Sequence, residues 1–189
     1  MFSGILKCAD CGGNLHYHFN SGNKSIKYFN CSNYNKGSKK ICFSTHYIRL
    51  DYLEKVVLAE LRRVIRYATQ NEEAFTKAIL DYSKVVYKQK TAQYECRLKS
   101  LLFMATVKKY TRIRKLTAKV LYELIEYIEV FDTEKQDGIT VQNIVIHYNF
   151  IGAVQVPDEV TVSGQDVTVK TRPGVSVNYI PSLLPEKAV

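Results

Sequence analysis

Four of the five cysteines in this chain fall within its first 42 residues, and their spacing limits what that part of the chain can become. Cys8 and Cys11 form a C-x2-C pair followed at once by Gly12 and Gly13. This is the form of a zinc knuckle: a tight turn aims two thiolates at one point, and the glycines let the backbone turn without a Cβ clash. Cys31 and Cys42 follow without forming a second C-x2-C pair. The longer loop between them is compatible with one site, because the entropy of loop closure grows slowly with length. Two disulfides and a redox pair are the competing readings. Met1–Lys7 lacks the basic and apolar regions of a secretory signal, so an oxidising compartment is not indicated. Gly-Gly after the second cysteine is poor for starting the helix that a thioredoxin-like motif needs. The expected ligands are therefore Cys8, Cys11, Cys31 and Cys42 on a structural Zn2+, with His46 as an alternative to one cysteine. His16 and His18, alternating beside the knuckle, are read as surface groups or neighbours of the site.

The chain has 189 residues, a formal net charge of +9 and a pI near 9.2, which point to a polyanionic partner. The charge is uneven. Residues 1–50 carry seven Lys/Arg against one acid, and residues 51–110 carry twelve against seven. Beyond 110 the acids match or exceed the bases. The lysines near the cysteines, Lys24, Lys27, Lys36, Lys39 and Lys40, together with Tyr28, are the candidate DNA contacts: cations for phosphates and an aromatic for a groove. RNA is a further candidate ligand. No apolar run is long enough to cross a membrane.

Ile5–Lys7 reads as a strand entering the knuckle. Asn14–Phe19 and Ser25–Cys31 alternate at strand period around the turn residues Asn20–Asn23. A unit of about 45 residues is too small to be held by its own core, and zinc is expected to supply the fold. From Tyr47 the apolar period changes to that of a helix, through Leu50, Leu53, Val57, Leu61 and Val64. A break at Thr69–Glu73 has Asn71 as an N-cap, and helical spacing then continues to about 108. Cys96 lies there without a partner. Thr117 caps a helix over Ala118–Tyr127, a strand runs from Ile128 to Asp132, Thr133–Gly138 is a turn, and Ile139–Phe150 is a second strand that Gly152 ends or bulges. Val160–Val162 and Val167–Val169 suggest a small hairpin in an otherwise loose tail. The expected fold class is α+β: a zinc β-ribbon over 1–46, long amphipathic, coiled-coil-like helices over 47–110, a helix plus β-hairpin over 111–157, and a tail over 158–189.

No nucleophile–base pair, Gly-rich phosphate loop, H-E-x-x-H or magnesium-binding acidic cluster stands in the sequence. A zinc held by four thiolates has no open position, so the ion is structural. No small-molecule substrate is indicated.

Two blocks carry a family resemblance. The first is Phe2–Gly13, then Tyr28-Phe29-Asn30-Cys31, then Cys42 with His46-Tyr47-Ile48 and the helix behind them. It resembles the zinc β-ribbon of large serine recombinases, the site-specific integrases and transposon recombinases of bacterial mobile elements. The second, Lys108–Thr111, Leu116-Thr117, Leu124-Ile125 and Ile144–Gly152, is similar to the C-terminal region of transposon-type members. The resemblance implies a ribbon that binds double-stranded DNA at attachment sites, and helices belonging to a coiled-coil arm that contacts a partner subunit. The family's catalytic serine domain precedes the ribbon, whereas Met1 begins at it, and the arm is shortened near Arg97–Lys109. The expectation is a truncated recombinase in the bacterial cytoplasm that holds DNA without cutting it. Its alternatives are a regulatory module pairing with an intact recombinase through the helices, or a remnant without function.

Overall fold

The computed structural model describes residues 1–34, 41–86, 90–136, 139–152, 169–172 and 175–179. Three short strands build the ribbon: β1 (Leu6–Cys8), β2 (Leu15–Phe19) and β3 (Lys27–Cys31). β2 and β3 pair antiparallel with Leu15 opposite Cys31 and Phe19 opposite Lys27. The turn between them is closed by Asn20, whose Oδ1 accepts from the backbone N–H groups of Gly22 (2.9 Å) and Asn23 (3.0 Å). This is the local bonding that makes Asn a turn residue. Alternation divides the faces: Leu15, Phe29 and Cys31 are buried, while His16 and His18 face solvent.

The helix expected from Tyr47 starts three residues later. Ile48–Arg49 is instead a strand, β4, pairing with Phe29 and Tyr28 of β3. The β-branched, buried Ile48 fills the sheet before the chain turns helical. α1 (Leu50–Gln70) then buries Leu53, Val56, Val57, Leu61, Val64 and Ile65 along one stripe. Asn71 serves both sides of the break: its N–H closes α1 on the Tyr67 carbonyl, and its own carbonyl accepts from Phe75 to open α2 (Glu72–Val86). α3 (Lys90–Lys108) returns alongside α2. Phe75 stacks on Phe103 with centroids 6.0 Å apart, and Lys108 bonds Glu72 at 2.7 Å. The helical region is thus a hairpin folded back against α1; a long coiled coil is not seen among the described residues.

Thr117 caps α4 (Ala118–Leu124) as expected, its Oγ1 accepting from the Val120 N–H at 3.3 Å. The helix stops at Leu124, short of the expected Tyr127, because Asn149 meets its end. The Asn149 N–H donates to Leu124 O (2.9 Å) and its side-chain amide to Tyr122 O (2.8 Å). β5 therefore begins at Ile125 rather than Ile128, and runs to Gln136 through the stretch expected to be a turn. An irregularity between Val130 and Thr133 breaks the alternation there while pairing with β6 (Ile139–Tyr148) continues. Gly152, at φ +68°, ends β6 by folding back onto Tyr148.

Two features escaped the sequence reading. β7 (Val169–Arg172) and β8 (Val175–Tyr179) form an antiparallel pair in what reads as a loose tail, and β8 lies parallel to β6. Most of the hairpin suggested over 160–169 lies outside the described residues. More consequentially, β1 pairs parallel with β5, Leu6 opposite Ile128 and Cys8 opposite Val130. The strand entering the knuckle is therefore the edge of a five-stranded sheet ordered β1-β5-β6-β8-β7. One buried cluster runs from Phe2 through α1 to Tyr148 and Ile151. Within it a carboxylate is buried: Glu60 on α1 accepts both guanidinium bonds of Arg63, at 2.8 and 3.0 Å, and has the Tyr148 side chain of β6 as a polar neighbour. Burial raises its pKa, while Arg63 and Tyr148 oppose the rise.

Candidate metal centre

The first knuckle is built by backbone bonds across Cys8–Gly13. The Gly12 N–H donates to Cys8 O (2.9 Å) and the Cys8 N–H to Gly13 O (2.8 Å). Gly12 sits at φ +66°, where a side chain is strained. Gly13 is needed for a different reason. A Cβ there would lie 2.4 Å from the Asn33 side-chain nitrogen and 3.2 Å from Cys11 Sγ. The second knuckle is held by β3: Cys31 N–H bonds Thr45 O (2.8 Å), which brings the 42–46 loop back to the strand end.

The four sulfurs converge. Cys8 and Cys42 Sγ are 3.6 Å apart, Cys11 and Cys31 Sγ are 3.5 Å apart, and all four lie within 4.8 Å of one another. A tetrahedral zinc with Zn–S near 2.3 Å sets sulfurs about 3.8 Å apart, so the cage has the size of that ion. The four cysteines are free thiols rather than disulfides. Three are buried and Cys11 is half-buried. Burial pushes the Cys8 and Cys31 thiols up. Cys11 is brought down to about 7 despite burial, by the Asn33 amide and the Gly13 backbone N–H. Asn33 supplies two donors, its side chain to Cys11 Sγ and its backbone N–H to Cys31 Sγ, each at 3.4 Å. Donors of this kind hold ligand sulfurs in place and stabilise thiolate charge.

His46 is fully buried behind Cys42 and adopts φ +44°. Its Nδ1 lies 3.1 Å from Ser44 O and 3.6 Å from Cys42 Sγ. Its Nε2 is 3.1 Å from an Asp10 oxygen, close enough for charge attraction but without hydrogen-bond alignment. Asp10, Cys42 and His46 also make a compact ligand group, but it reuses a sulfur of the four-cysteine cage. His46 thus stands behind Cys42 and links the two knuckles through Asp10, while the four sulfurs close the cage. His16 and His18 point to solvent, away from it.

The candidate DNA contacts separate. Lys24 lies in the β2–β3 turn and Lys27 begins β3, both exposed, beside the exposed rings of Tyr17 and Phe19. Tyr28 lies on the face turned from the cysteines, between His18 (centroids 5.5 Å) and Tyr47 (4.8 Å). Lys36, Lys39 and Lys40 lie outside the described residues. The sequence reading missed Asn33, Asp10 and Ser44; an Asn two places after a ligand cysteine was the available signal for the first.

Residues 1–62 match the family model of the recombinase zinc beta ribbon domain. Residues 90–155, from α3 through β6, match a domain of unknown function, DUF4368. Neither the curated proteins nor the solved structures gave a match. Among the described residues no helix is long and apolar enough to cross a membrane.

Proposed function

We propose that this chain is the DNA-binding C-terminal portion of a site-specific serine recombinase of a mobile element, with a structural zinc holding its ribbon. The observation that carries the reading is the match of residues 1–62 to the recombinase zinc ribbon, over the same residues whose four sulfurs form a zinc-sized cage. Four thiolates fill a tetrahedral ion, so zinc supplies folding energy and no open coordination position. Cys8, Cys11, Cys31 and Cys42 hold it, Asn33 donates to two of the sulfurs, and His46 backs the fourth. The hairpin tip offers Lys24 and Lys27 to phosphates, with Tyr17, Phe19 and the Tyr28 row beside them. The chain's part in recombination is to hold the duplex; strand cutting belongs to a serine-nucleophile domain.

The test is titration of zinc-loaded protein onto a fluorescent duplex across salt concentrations. Binding that weakens steeply with salt is expected, as for several phosphate contacts. Absence of binding at low salt removes the reading.

A second reading, pairing through the helices with an intact recombinase, is favoured by Leu98, Leu101 and Leu102, which stand exposed on α3. Spaced by three and four residues, they form an apolar stripe of the kind a partner helix covers. Sedimentation with and without a full-length recombinase, repeated for Leu98→Ser/Leu102→Ser, checks it: a complex lost in the variant supports pairing.

A further inference from the structure

Residues 108–122 carry six lysines and arginines and no carboxylate. The connection from α3 to α4 runs through this stretch, and it is clamped. Arg62 of α1 donates from Nε to Ile113 O and from Nη2 to Arg114 O, both at 2.8 Å. Ile113 and Leu116 are buried, and the Tyr110 hydroxyl donates to Glu123 at 2.7 Å. Between these anchors Lys109, Arg112, Arg114 and Lys115 are exposed.

The cations at the two ends of the stretch have acidic neighbours: Lys108 bonds Glu72 at 2.7 Å, and Lys119 lies 3.9 Å from Glu123. The four between them make no ion pair with any described residue. Arg62 adds a fifth positive charge, because its donors meet carbonyls rather than carboxylates. Arg66, one helical turn further along α1, is exposed and likewise without a carboxylate among the described residues. Gathering like charges in one place is unfavourable for the folded chain by itself. Holding their backbone rigid lowers the cost of ordering them on a ligand.

We propose that this strap, with Arg62 and Arg66, is a second nucleic-acid surface that grips the phosphate backbone of duplex DNA away from the zinc ribbon. It rests on the DNA-binding reading only for the identity of its ligand. α1 starts where β4 of the ribbon ends and carries Arg62 about 18 Å along its axis. That is a span of roughly five base pairs. Ribbon and strap on one duplex act as linked weak sites, each raising the effective concentration of the other. The strap's ligand is the phosphate chain and not the bases, since its exposed groups are cations.

The experiment uses the full zinc-loaded chain and a 30-base-pair fluorescent duplex. It compares Arg112→Gln/Arg114→Gln/Lys115→Gln with Lys55→Gln/Lys77→Gln/Lys99→Gln, which removes equal charge from exposed positions elsewhere. In the strap variant the slope of log affinity against log salt should flatten by about 2.7, and affinity should fall about 10- to 100-fold. Thermal unfolding and zinc content should stay as in the parent, and the control triple should leave the slope nearly unchanged. Should the strap triple fold poorly, Arg112→Gln alone should flatten the slope by about 0.9. Equal effects from both triples, or no effect from the strap triple, overturn the proposal. So does a parent chain that binds single-stranded RNA but not duplex. A strap effect beside an inert Lys24→Gln/Lys27→Gln variant sustains the strap while removing the ribbon reading.

Discussion

At the scale of single residues, the four-sulfur cage depends on groups outside it. Gly13 leaves the space in which the Asn33 amide reaches Cys11 Sγ, and an added Cβ would meet that amide at 2.4 Å. Gly13→Ala is expected to push Asn33 aside and weaken zinc roughly 10-fold, read by competition with a chelating dye. His46 makes a separable prediction. Removing the imidazole behind Cys42 should weaken zinc about 10- to 100-fold, as loss of a group supporting a ligand does. Cobalt substitution should keep the absorption of four thiolates. His46→Gly also relieves the backbone held at φ +44°, so a loss shared by His46→Ala and His46→Gly belongs to the imidazole. A three-sulfur spectrum in the parent that changes in both variants would instead make His46 a ligand. The cysteines themselves were legible because C-x2-C-G-G is a local pattern with a local cause. Asn33 was not, because its role depends on a sulfur 22 residues earlier.

At the scale of elements, the caps and turns followed local chemistry. Thr117→Ala should cost about 1 kcal/mol in urea unfolding by leaving the Val120 N–H without its partner. What sequence reading missed here came from outside each element. Asn149 cuts α4 short at Leu124, and the β3 edge draws Ile48 into a strand. Glu60 is also an element-scale surprise, lying at zero exposure on the apolar face of α1. Burial raises its folded pKa, against Arg63 and Tyr148. The folded state thus binds this proton more tightly than the unfolded chain does. Its contribution to stability is full below the unfolded value near 4.3 and declines as pH rises through the folded value. Glu60→Gln should lack that decline, so parent stability minus variant stability should fall as pH rises above about 4. A difference that stays flat in urea midpoints would show that the raised pKa is absent.

At the scale of the whole molecule, the parallel pairing of β1 with β5 joins the strand entering the first knuckle to the sheet of the C-terminal half. It places Cys8 opposite Val130, and the Ala9 N–H donates to Val130 O at 3.1 Å. Tyr122 of α4 reinforces the junction: its single O–H faces two acceptors, the carbonyls of Met1 (2.9 Å) and Ser3 (3.1 Å). Such pairing across more than a hundred residues leaves no trace in local periodicity, so the sequence suggested a ribbon standing by itself. A zinc held at Cys8 would therefore brace the five-stranded sheet as well as the knuckles. Chelation should lower the unfolding temperature of the entire chain in one transition, seen equally in far-ultraviolet ellipticity and tyrosine fluorescence. Two separated transitions would mean that ribbon and sheet are uncoupled.

The central claim is that four thiolates hold one zinc and that the ribbon so formed binds duplex DNA. Fluorescence anisotropy of one duplex at about 50 mM salt, with zinc-loaded protein and again after chelation, tests both parts together. One zinc per chain, binding in the loaded form, and a large loss of affinity when the zinc is withdrawn are expected. Duplex binding that is absent in the loaded chain, or equally strong without the metal, would contradict the claim.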